Sequence, residues 1–147
     1  MNTLKNEILI DAPIENIWEA LAITDKLDSY DPTVKKSTAT SNIKSGVGAS
    51  RKVEMLDGKN WFEETCTTYE PNTALTYTLT ACSFPVHKLY HDYSFEQVGD
   101  KTRVTQKMNI QMKYGVLGKL MFVLLKPKWN SGIKEFLGGL KKVSENE

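Results

Sequence analysis

Residues 8–21 read ILIDAPIENIWEAL, and the change of period inside this stretch decides the fold. Ahead of the break, Leu4, Ile8 and Ile10 occupy even positions with Lys5 and Glu7 between them, the alternation of a half-buried strand. Pro13 ends the strand and suits the first helical position, where a missing N–H costs nothing. After it, Ile14, Ile17, Trp18, Leu21 and Ala22 recur at helical spacing and make one apolar stripe. Glu15 falls in the first turn, where the helix dipole favours an anion. A second short helix is predicted over Thr24 to Tyr30, ending before Pro32.

Outward from there, residues 33–112 read as strands. Runs rich in Val, Thr, Tyr and Phe are separated by Ser45-Gly46, Asp57-Gly58, Glu70-Pro71-Asn72 and Gly99-Asp100. Six strands are predicted, at about 34–42, 48–56, 60–69, 74–82, 86–97 and 102–112. No helical pattern lies between them, so they follow one another as antiparallel hairpins; parallel strands would need crossover helices. From Gly115 onward the period is helical again. Leu117, Leu120, Met121 and Leu124 form one stripe, and Trp129, Ile133, Phe136, Leu137 and Leu140 another. Pro127 lies between them and is expected to kink or break the helix, because it lacks an N–H and crowds the preceding turn. This long C-terminal helix is the only element able to cover a seven-stranded sheet. The expected fold is therefore α+β, with two short helices after the first strand, and the chain is one domain over 1–147.

Composition agrees with a single packed domain. The chain has 147 residues, 40% of them hydrophobic and 25% charged, which excludes a disordered or fibrous protein. Nineteen basic residues against 18 acidic give a net charge of +1. That balance offers no global attraction to nucleic acid or to acidic membranes, so no nucleic-acid partner is expected. No stretch reaches the ~18 apolar residues of a membrane span. The charged N-terminal segment does not read as a secretory signal, and the expected location is cytoplasmic. Cys66 and Cys82 are too few for a disulfide framework or a Cys-based zinc site. Cys66 should face about residue 77 or 78, leaving Cys82 roughly 13 Å along the strand, so both are expected as free thiols.

The stretches ILIDAPIENIWEAL, GVGASRKVEMLDG with Glu64 beyond it, TRVTQKMNIQMKYGVLGKLM and FLGGLKKVSE occur in an order that covers the chain. Together they resemble the START-like (SRPBCC) superfamily, in its polyketide cyclase/dehydrase-like branch. Two departures stand out: Tyr30 where many members carry Trp, and Pro127 inside a helix that is usually continuous. The resemblance implies a Bet v 1-like helix-grip fold, a sheet curled around the last helix. It also implies a hydrophobic ligand enclosed between the two.

Individual residues give this expectation its detail. With a two-residue Asp57-Gly58 loop, Arg51 opposes Glu64; with a four-residue loop, Val53 does and Arg51 is diagonal. Either register puts Arg51 and Glu64 on one face with Val53 and Met55, so the pair is expected to be inward and able to hold a polar ligand group. His87 and His91 are i, i+4, which on a strand separates them by roughly 13 Å, beyond one metal ion. No metal or other cofactor is expected. Gly46-x-Gly48 reads as a turn rather than half a phosphate loop. The expected cavity wall is Arg51, Glu64, Tyr77, His91, Tyr93, Met108, Ile110 and Met112 from the sheet, with Leu120, Met121, Leu124 and Trp129 from the helix. The partner is then a small hydrophobic or amphipathic molecule. One alternative is a polyketide cyclase or dehydratase, with Arg51 stabilising an enolate and His91 or Tyr93 moving a proton. Another is a protein-interaction domain of co-chaperone type. Oligomeric state is open.

Overall fold

The computed structural model describes residues 1–146. β1 (Asn2–Ile10) leads into α1 (Ile14–Ala22), with Pro13 extended at the N-cap, so the helix starts one residue later than expected, at Ile14 rather than Pro13. A short 3-10 helix, Thr24–Ser29, follows. β2 (Val34–Ala39), β3 (Ser50–Met55), β4 (Trp61–Glu70), β5 (Ala74–Cys82), β6 (Val86–Val98) and β7 (Lys101–Met112) come next. α2 (Gly115–Glu145) is the last element. The strands form one antiparallel sheet in the order β1-β7-β6-β5-β4-β3-β2. This is an α+β helix-grip fold with the seven strands expected. β2 and β3 are shorter than their apolar patterns, because Ser41 bonds the Ile43 carbonyl and accepts the Ser50 N–H, drawing 40–49 into a loop.

The stripe of α1 is buried at Ile17, Trp18, Leu21 and Ala22. Trp18 meets Tyr69 and Phe95 edge-on, with centroids at 5.1 and 5.8 Å. Tyr77 on β5 is fully buried, and its hydroxyl donates to the Leu21 carbonyl at 3.0 Å. A helix end leaves carbonyls without intrahelical partners, so this bond both caps α1 and ties it to the sheet.

α2 runs unbroken through Pro127, so of the kink or break expected there the break does not occur. Pro127 is exposed, on the side away from the sheet. A bend caused by a solvent-side proline closes toward the core, the direction in which long helices already curve. The buried side of α2 is Gly118, Phe122, Ile133, Phe136, Leu137 and Leu140. Phe122 and Trp129, on either side of the proline in sequence, meet at a tilt of 57° with centroids 6.3 Å apart. Gly139 lies so close to the 30–32 segment that a Cβ there would overlap the Tyr30 carbonyl. The expected inner stripe of Leu117, Leu120, Met121 and Leu124 is a second correction. Leu120 is 57% and Leu124 71% exposed, because they project from the side opposite Phe122. This half of α2 is apolar nearly all round, and in such a helix periodicity does not say which face is inside.

Candidate functional site

A cavity of about 580 Å³ lies between the inner face of the sheet and the middle of α2. Its polar wall is built by strand register. The β3–β4 hairpin pairs Arg51 directly with Glu64, and β5–β6 and β6–β7 pairing puts His91 beside Tyr77 and Met108. Arg51 donates to Glu64 Oε2 from Nη2 at 2.7 Å and from Nε at 2.8 Å. Glu64 Oε1 meets His91 Nδ1 at 3.1 Å. Arg51 is 3% and Glu64 1% exposed. The guanidinium also sits over the Tyr77 ring, 4.2 Å from its centroid, which offers it a second partner away from water.

Electrostatics decide the ionisation of this group. Burial opposes charge on Glu64, but Arg51 and His91 outweigh it and hold its carboxyl at about 2. Glu64 is then an acceptor only, so Nδ1 is the nitrogen of His91 that donates, and Nε2 is the one without a proton in the neutral ring. Burial likewise opposes the Arg51 charge, and Glu64 more than restores it. Burial raises the hydroxyl of Tyr93 well above the ordinary phenol range and that of Tyr77 to about 12, so both stay protonated. Asp31, at the cavity edge, is raised by burial against the hydrogen bonds it accepts from Thr33.

Of the wall residues expected from sequence, Arg51, Glu64, His91, Tyr93, Met108 and Trp129 line this cavity. Tyr77 and Ile110 are instead wholly buried in the core beside it. Met112 and Met121 are half-buried and outside it, and Leu120 and Leu124 face away. Phe62, Leu79, Phe84, Leu89, Ile133 and Phe136 are among the further apolar residues of its wall. Gln106 is the informative omission. It shares the inner face of β7 with Met108 and Ile110, so strand alternation already pointed to it. Two buried polar atoms on the lining have no hydrogen-bond partner among the described residues: Arg51 Nη1 and Gln106 Oε1. A buried polar group without a partner is costly, and these two leave one donor and one acceptor on the lining free for a ligand.

Cys66 and Cys82 are free thiols, with Cys66 paired to Tyr77 and Cys82 to Phe62. Among the described residues no three His, Cys, Asp or Glu side chains are grouped to hold a metal ion. Among the same residues, no helix is long and apolar enough to cross a membrane.

Known proteins with this architecture place the site in context. The chain is similar to TTHA0849 from Thermus thermophilus, with TM-score 0.79, 16% identity and 97% of each chain covered. It is similar to XoxI from Bacillus cereus, with TM-score 0.77 and 14% identity over 98% of this chain and 96% of that one. It is also similar to Ara h 8.0201, with TM-score 0.71 and 18% identity over 95% of this chain and 97% of that one. At these identities the likeness is one of fold. No curated protein matches the sequence. The model of one family, described as polyketide cyclase / dehydrase and lipid transport, matches residues 1–145. With nearly its whole length matched and its sheet wrapped on a C-terminal helix, the chain belongs to the polyketide cyclase/dehydrase and lipid transport family of the START-like superfamily.

Proposed function

We propose that this protein binds one small hydrophobic or amphipathic molecule in the cavity, with its polar end at Arg51 and Gln106. The observation that carries the reading is the pair of unpartnered buried atoms, Arg51 Nη1 and Gln106 Oε1, on the lining of a cavity with a large apolar wall. A cavity of about 580 Å³ lies within the size range of small-molecule sites, which combine apolar walls with a few fixed polar groups. The polar end is neutral. Glu64 already neutralises Arg51, so a ligand carboxylate would be desolvated beside a second carboxylate. A hydroxyl group is neutral and has both an acceptor suited to Nη1 and a donor suited to Oε1. Fluorescence titration with 1-pyrenebutanol and 1-pyrenebutanoate tests this. The alcohol is expected to bind at one site and more tightly than the carboxylate. Equal or reversed affinities contradict the polar-end assignment, and no binding of either contradicts the cavity as a ligand site.

One observation favours a second reading, a cyclase-type enzyme. His91, for which the sequence showed no orienting partner, has one in Glu64. A base held by a carboxylate, with a free guanidinium N–H nearby for a developing enolate oxygen, is an arrangement suited to proton transfer next to a carbonyl. Deuterium exchange into the α-position of a bound aromatic ketone, lost in His91→Gln while binding persists, would establish it; no exchange in wild type excludes it for that ketone.

A further inference from the structure

The exposed side of α2 has no role in the cavity, yet it is the most apolar exposed helix surface of the chain. Val116, Leu117, Leu120, Val123 and Leu124 are each at least 57% exposed. Their spacing of i, i+1, i+4, i+7 and i+8 makes one continuous stripe, opposite the buried Gly118 and Phe122. Lysines border it: Lys119 and Lys126 on one edge and Lys128 on the other. Between Lys107 and Glu135 the sequence holds five lysines and no acidic residue. None of those five lies within 4.0 Å of a carboxylate among the described residues. Asp57, on the β3–β4 hairpin, feels the charge of Lys128 only as the least of the influences on its carboxyl. The net charge of the chain is only +1, so this positive surface is local, which overall composition conceals.

We infer that the N-terminal half of α2 is a docking surface for an anionic lipid bilayer. Apolar side chains between rows of lysines suit a helix lying in the membrane interface: the leucines and valines enter the acyl boundary while the ammonium groups stay among the headgroups. A second copy of the chain fits less well, since it would set lysine rows against lysine rows with no carboxylate between them. The stripe ends one turn before Lys128 and Trp129, which line the cavity, so docking brings the cavity rim toward the bilayer. The inference rests on the surface alone and stands whether or not the cavity ligand is the one proposed above.

The test is co-sedimentation of the full chain with vesicles of phosphatidylcholine and phosphatidylglycerol in equal parts, and with phosphatidylcholine alone. Binding is expected to the mixed vesicles, with weak binding to the neutral ones and release by added salt. Lys119→Gln with Lys126→Gln should weaken partitioning by roughly 25-fold, at about fivefold per lysine near an anionic surface. Leu120→Glu with Leu124→Glu should abolish it. All four positions are exposed, and an unchanged thermal transition shows that the variants are folded. Failure of the wild type to bind the mixed vesicles overturns the inference, as does binding that survives the double glutamate variant. Analytical ultracentrifugation of the same samples separates the rival occupant: a dimer dissolved by Leu120→Glu/Leu124→Glu, with no vesicle binding, assigns the face to a second copy instead.

Discussion

Glu64 holds the polar wall of the cavity together, with Oε2 on Arg51 and Oε1 on His91. Removing either Arg51 or Glu64 alone leaves the other charged and buried, at an expected cost of about 3–5 kcal/mol. Arg51→Met with Glu64→Leu should be much closer to neutral, and a double-mutant cycle in urea would show the coupling; additive, sub-kcal effects would contradict it. Acid supplies a second check. The folded value of Glu64, about 2, lies below its ordinary 4.5. Its contribution is therefore fully present above about 4.5 and disappears as the pH falls toward 2. The stability gap between wild type and Glu64→Gln should be constant near neutrality and shrink across that window. Asp31, raised by burial, works in the opposite sense in both proteins and drops out of the difference. Tyr77 has become a strut rather than a wall. Tyr77→Phe should cost about 1 kcal/mol through the lost bond to α1 and leave probe affinity unchanged.

At the scale of elements, α2 carries the sharpest contrast in two adjacent residues. Nothing lies within 4 Å of a Cβ built on Gly138, whereas one on Gly139 meets the Tyr30 carbonyl. Gly138→Ala should therefore stabilise by up to about 1 kcal/mol through helix propensity. Gly139→Ala should destabilise by about 1–3 kcal/mol, as overpacking against backbone. Thermal melts showing the same sign for both would mean that α2 does not sit this close to the Tyr30 segment. The strands were legible because alternation has a fixed period, and either register of the Asp57-Gly58 hairpin put Arg51 and Glu64 on one face; the direct pairing is what the structure adds. The orientation of the first half of α2 was not legible, since Leu and Val occur on both of its sides. Phe136 illustrates the same limit within the core: its helical phase marked it as buried, but only the packing of α2 across the sheet makes it a cavity wall.

For the whole molecule, the question is whether the space between sheet and helix takes up a ligand or is closed by packing in solution. No periodicity reports an internal volume, so this part of the site had no sequence signal beyond family resemblance. Met108 is 8% exposed and lines the cavity from β7. Met108→Trp, followed by both thermal unfolding and 1-pyrenebutanol titration, is the most direct test. If the cavity is open, the indole fills empty volume: the variant melts within a few degrees of wild type and loses the pyrene site that wild type shows. If the interior is solid, wild type binds no probe and the tryptophan destabilises by about 1–3 kcal/mol; that result would contradict ligand binding as the function.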